Sequence, residues 1–217
     1  MSFQELLDEA FPSEADANLI RGVSEGIMLA DSTMESASFL QSLVGQDIRG
    51  HVRRAGILHR LHDMTTAGIL PFASTMAKMP RGNWHWIELR SKNFNTHVCR
   101  TDAPDAFPTD TPTRQDDRLT NQGDLFRATP SIIPIKGYAA WLTFGVGDSG
   151  ALGHLCWGMP NADEDVWLAR TNVMRRARES EVVVPIESPA KATELRFREH
   201  VEETLRDKDE SQGEQPA

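Results

Sequence analysis

Cysteine is scarce in this chain, with two in 217 residues, and tyrosine scarcer still, with one. Two cysteines cannot build a disulfide framework, and a chain of this length buries enough surface to need none, so a reducing compartment is expected. Long hydrophobic runs are also missing. No stretch approaches 18 uninterrupted apolar residues, and the opening MSFQELLDEA is acidic where a secretory leader would be basic and then apolar. These absences predict a soluble cytoplasmic protein without a membrane span. A P-loop and the zinc-protease H-E-x-x-H are absent too, and the spaced glycines of GVGDSG fall in a hairpin turn that opens no helix.

What the chain has is charge, unevenly placed. The formal net charge is −9, which argues against a protein that coats nucleic acid. Residues 1–45 carry one basic and eight acidic side chains, residues 46–100 nine basic and three acidic, and residues 101–217 thirteen basic and twenty-one acidic. The middle third is a basic island. It can face an anion, or it can pair with its acidic flanks.

The periodicity predicts an α+β fold: an N-terminal helical segment over 1–70, an antiparallel sheet built from two β-hairpins, and C-terminal helices. Leu19, Ile20, Val23 and Ile27 predict a helix over 14–29, with Ser13 and Asp16 as a capping box. A second helix is expected over 33–44 with Ala37, Leu40, Leu43 and Val44 inward. A third, over 46–67, tolerates Gly50 and Gly56 at a cost and ends at Gly68 before Pro71. The β-rich core spans 80–187. Its first hairpin, WHWIELRSKNFNTHVCRT, turns at Lys92 and Asn93, which sets Ser91 opposite Phe94 and Glu88 opposite His97. Its second, around GDSG, is expected to turn at Asp148 and Ser149. Between them, residues 102–131 read as a long polar loop holding Asp102, Asp105, Asp110, Asp116, Asp117 and Asp124, solvated in the simpler reading. A helix over 163–179, a strand over 182–186, a helix within 188–207 and a disordered tail over 208–217 complete the expected order.

Three groups of residues are candidates for function. THVCR and GHLCW each place a histidine two positions before a cysteine, on the same side of a strand. Were the hairpins neighbours, His97, Cys99, His154 and Cys156 could offer zinc two imidazoles and two thiolates. A disulfide between the cysteines is the rarer alternative, and buried packing the commoner one. On the same face Glu88, His97 and Cys99 are the candidate catalytic residues, an acid/base pair beside a potential nucleophile, with a cross-strand ion pair as the simpler reading. His59 and His62 share a helix face and form a second possible metal pair. The third group is cationic: Arg49, Arg53, Arg54 and Arg60 along the third helix, with Arg90 and Lys92 near the hairpin turn, in an element order reminiscent of a winged-helix DNA binder.

The leading expectation is therefore an intracellular binding or regulatory protein that contacts nucleic acid or another polyanion. The alternative is a metal-dependent or acid/base enzyme or sensor working from the polar sheet face, walled by Trp84, Trp86 and Trp141. A homo-oligomer, assembled through the C-terminal helix, is the third possibility.

Overall fold

A computed structural model describes residues 1–78, 85–109, 111–122 and 137–180. Contacts gather Met1–Val183 into one unit and Val184–Ala217 into another, and every described residue belongs to the first. The expected strand at 182–186, the helix within 188–207 and the tail lie outside the described residues.

Helix α1 (Phe3–Ala10) opens on a capping box the periodicity did not reveal, in which Ser2 and Glu5 satisfy each other's backbone N–H. Helix α2 (Asp16–Ser36) follows a short 3-10 turn at Ser13–Ala15, so Ser13 does not cap it. Leu19, Val23 and Ile27 are buried as their spacing predicts. The expected helix over 33–44 does not exist as such. Helix α2 runs through its first residues, a 3-10 turn covers Ser38–Gln41, and α3 (Leu43–Thr66) starts at the Ser42 cap. The reversal turns Leu43 and Val44 outward, 87% and 77% exposed, where one continuous helix would have buried them. Gly68, at φ +69°, ends α3 as expected.

Helices α2 and α3 pack backbone to backbone. A Cβ on Gly26 would lie 2.5 Å from the Ile57 Cα, and one on Gly56 would strike the Gly26 carbonyl oxygen. Gly56 is therefore a packing requirement and no mere tolerated cost, whereas Gly50 has nothing nearer than 3.8 Å.

The sheet has six strands in chain order: β1 (Ala73–Lys78), β2 (His85–Ser91), β3 (Phe94–Arg100), β4 (Tyr138–Val146), β5 (Leu152–Pro160) and β6 (Trp167–Asn172). Strands β1–β3 and β4–β6 are antiparallel meanders, joined by a parallel β3–β4 seam. The two expected hairpins are thus neighbours in one sheet. The first keeps its expected register, with Ser91 opposite Phe94 and Leu89 opposite Thr96, and Lys92 takes the positive φ of 48° that the tight turn demands. The second is shifted by two residues, Leu142 facing Trp157 and Phe144 facing Leu155, because a longer turn closes with Gly147 N–H on the Ala151 carbonyl and a bulge follows Gly145. A shift of two preserves the faces.

The helix expected over 163–179 is corrected by the structure to strand β6 and the short helix α5 (Val173–Glu179), which Asn172 caps. Ala169 and Thr171 are buried on alternate positions, a strand period that a helical reading of Trp167–Asn172 hides. The region 102–131 is not structureless either. Thr111 caps helix α4 (Pro112–Arg118), and a 3-10 turn covers Leu119–Asn121.

Helices α1–α3 and α5 bury one face of the sheet. Phe11 stacks on Trp157 at 3.9 Å within a cluster that includes Leu89, Phe94, Val98, Leu142, Phe144 and Leu155. Arg176 locks α5 to this layer through two hydrogen bonds to Asp16, at 2.7 and 2.8 Å, and one to the Phe11 carbonyl. The described part of the crossover from β3 to β4, residues 101–109 and 111–122, lies on the other face. There Phe107 packs on Trp141 and Trp167, and the buried Asn121 amide donates to the Ala139 and Pro160 carbonyls and accepts from the Ala139 N–H. No helix among the described residues is long and apolar enough to cross a membrane.

Candidate functional site

The β2–β3 ladder holds only from Leu89–Ser91 to Phe94–Thr96. Beyond it β2 stays with β1, and β3 turns to β4 along its whole length. Side chains from four elements meet in this divergence. Trp86 of β2 sets its ring edge-on to His97 of β3, centroids 3.6 Å apart. Asp117 of α4 brings Oδ2 to 3.0 Å from His97 Nδ1. Arg114, one helical turn before Asp117, donates to the Thr109 carbonyl and, with Arg54 of α3, adds its charge to both Cys99 and His97.

Of the candidate catalytic residues, His97 and Cys99 lie in this cluster with Asp117, whereas Glu88, outside the paired ladder, pairs with Arg90 at 2.9 Å and reaches Asp117 only through its charge, so the expected Glu88–His97 pair is not formed. Burial, then the charges of Arg114 and Arg54, hold the His97 imidazole down to about 3, so it is neutral at physiological pH. Burial, then Glu88 and Asp116, push the Asp117 carboxyl up to about 7. The Asp117 Oδ2 is buried and finds no aligned hydrogen-bond partner, despite its short distance to His97. A proton on that oxygen would give it one, since the carboxylic acid O–H can donate to neutral imidazole. Burial also raises the Cys99 and Cys156 thiols, which keeps both in the weakly nucleophilic protonated form.

The zinc quartet is not brought together. Cys99 lies opposite Thr143 and Thr143 opposite Cys156, so the cysteines sit two strands apart, roughly 9.5 Å. That exceeds the ~7 Å limit for a disulfide, and both thiols are free. His97 is level with Trp141, whereas His154 faces Gly145, four residues further along β4. His154 instead meets the Thr101 hydroxyl at 2.9 Å. His59 sits 3.4 Å from Asp63, and His62 Nδ1 lies 2.7 Å from the Ser74 hydroxyl. Among the described residues no group of three or more His, Cys, Asp or Glu side chains could hold a metal ion. GVSEG, residues 22–26, matches the G-x-S-x-G spacing of a nucleophile elbow, but it lies inside α2 and not at a strand-to-helix turn.

The cationic candidates divide into two kinds. Arg53 makes a two-pronged pair with Asp31, at 2.8 Å on both prongs, and Arg60 pairs with Glu25. Arg90 pairs with Glu88 at 2.9 Å and Lys92 with Glu9 at 2.5 Å. Arg49 and Arg54 make no ion pair among the described residues, and the Arg49 Nε is buried without a partner. Both line a cleft of about 710 Å³ between the first half of α3, the end of β3 and the crossover, which Arg100 and Arg114 also enter. Its carboxylates are Asp47 and Asp102, and its apolar floor includes Val98, Phe107 and Phe144. Arg54 and Arg114, from α3 and α4, repel each other at its inner wall. Burial first, and Arg114 further, lower the Arg54 guanidinium from its ordinary value.

Arg100, Arg114 and Asp117 are not singled out by the sequence patterns. A signal for the last two is present in TPTRQDDR, where Thr before Pro marks a helix start. Comparison with protein-family models, with curated proteins and with solved structures finds no match for this chain.

Proposed function

We propose that the protein binds a compact, multiply charged anion, phosphate-bearing in its natural form, in the cleft between α3 and the crossover. One observation carries this reading: guanidinium groups from three elements line a single cleft, and two of them, Arg54 and Arg114, are close enough for the charge of one to disfavour that of the other. Like charges brought together and partly desolvated are costly, and an anion between them offsets that cost through charge-assisted hydrogen bonds. The volume suits a small ligand, within the ~300–1,000 Å³ of typical ligand pockets.

An extended polyanion is the less favoured partner. Four of the six cations that would form its track, Arg53, Arg60, Arg90 and Lys92, are paired with carboxylates of the same chain. Arg90 and Lys92 also flank the turn at the start of β3, whereas the cleft lies at its end.

Titration calorimetry with pyrophosphate provides the test. Binding is expected at micromolar to low-millimolar concentration, and Arg49→Ala with Arg100→Ala is expected to weaken it about tenfold or more, in line with the loss of charged hydrogen bonds, while leaving Tm within a few degrees. Wild-type protein that ignores pyrophosphate, or a double variant that binds it equally well, overturns the reading. Salt-sensitive binding to duplex DNA without pyrophosphate binding would favour the extended polyanion instead.

A further inference from the structure

We infer that the cleft takes up its anion together with a proton, held between Asp117 and His97 on the far side of Arg114. This rests on the anion-binding reading and adds its regulation. The geometry makes Arg114 a shared wall. Its guanidinium lines the cleft and its charge acts on Cys99, His97 and Asp117, and Asp117 lies one turn later on the same short helix. Arg54 is shared in the same way, lining the cleft from α3 while its charge acts on His97. Two of the cations that would meet the anion therefore also act on the Asp117–His97 pair, Arg114 on both members and Arg54 on His97.

The groups facing Asp117 come from every element around it. Glu88 of β2 and Asp116 of α4 are negative and disfavour its ionisation, and Arg114 favours it. His97 of β3 lies against Oδ2. Arg118, at the end of α4, is turned to Asp165 at 2.5 Å. Glu88 is itself paired with Arg90. With an empty cleft, Arg114 is the positive counterweight to this acidic group. An anion bound to it cancels part of that positive field, so the charged form of Asp117 becomes less favourable and the proton is retained more tightly. By linkage the effect is reciprocal: losing the proton, as pH rises through about 7, weakens the anion. The buried Oδ2 without a hydrogen-bond partner is where that proton sits.

Sulfate is the probe, because it does not titrate in the working range and its own charge stays constant. Calorimetric titrations at pH 6 and pH 8, at fixed ionic strength and in buffers of different ionisation enthalpy, read affinity and proton uptake together. For wild-type protein Kd is expected to rise by about fivefold or more between pH 6 and pH 8, with net proton uptake on binding near pH 7. Asp117→Asn, neutral at every pH, is expected to hold the pH 6 affinity at both values and to take up no proton. A wild-type Kd that does not change with pH, no proton uptake, or an Asp117→Asn protein with the wild-type profile overturns the proton link while leaving anion binding in place. No sulfate binding at either pH overturns the link, and absence of pyrophosphate binding as well removes the anion-binding reading itself. Proton uptake is measured on wild-type protein, so the link can be overturned even where a variant fails to fold.

Discussion

Asp117 also bears on stability. In an unfolded chain its carboxyl ionises near the ordinary 3.8, and in the fold near 7. The folded state therefore binds the extra proton between those values, and stability falls as pH rises from about 4 through 7. His97 acts at the opposite end. Its value drops from 6.5 to about 3, so the unfolded chain protonates first and stability falls as pH drops below 6.5. Replacing Asp117 with Asn removes only the first cost. Calorimetric melting should show Asp117→Asn more stable than wild type at pH 8 by roughly 2 kcal/mol, discounted from the full linkage value, with the gain fading toward pH 4. A variant that melts below wild type at pH 8 would mean that the carboxylate is stabilised by its surroundings. At this scale half of the cluster is legible in the sequence. Glu88, His97 and Cys99 share a face because a two-residue turn fixes the parity of the β2–β3 hairpin. Asp117 could not be added, since its position depends on how the crossover returns over the sheet, which no local pattern encodes.

The elements differ in how plainly their periods announce them. Helices α2 and α3 and strands β2–β5 have clear apolar repeats and are readable. Strand β1, ASTMAK, has no apolar alternation because it lies at a sheet edge and is mostly exposed. In β6, WLARTN, Trp167 and Leu168 are only partly buried, and Arg170 breaks the apolar pattern. Burial against α1 and β5 makes each residue's role clear only in the fold. The helix pair offers a sharper contrast. Ala exceeds Gly in helix propensity by about 1 kcal/mol, so three glycine substitutions that look alike in sequence should diverge. Gly50→Ala, whose added Cβ meets nothing nearer than 3.8 Å, is expected to raise stability by up to about 1 kcal/mol. Gly26→Ala and Gly56→Ala, each driving a methyl into the partner helix's backbone, are expected to lower it by about 2 kcal/mol or more. Urea denaturation of the three variants decides the matter, and equal midpoints would mean that the helices separate easily.

Over the whole molecule, the uneven charge of the sequence is largely an internal balance. The acidic N-terminal helices answer the basic island, Glu25 to Arg60, Asp31 to Arg53 and Glu9 to Lys92. Arg49 and Arg54, without an ion pair among the described residues, remain at the cleft beside Arg100, which lies 4.0 Å from the exposed Asp102. The two populations of arginine should respond oppositely when removed. Arg60→Ala leaves the Glu25 side chain, only 9% exposed, without its partner, and should lower Tm while pyrophosphate affinity stays unchanged. Arg49→Ala should leave Tm nearly unchanged and weaken pyrophosphate. Equal loss of affinity in both would return the whole basic helix to the binding surface.

The parallel seam between β3 and β4 has a kinetic consequence. Within each meander the strands meet across short connections, and such pairs form quickly from local contacts. Phe94 meets Tyr138 only after the entire crossover has closed behind it. The entropy of that closure is spent before any seam hydrogen bond rewards it, so the union of the two meanders is expected to be the slow step of folding. Asn121, tying the crossover to β4 and β5 at once, is placed to hold that loop shut once the union has occurred.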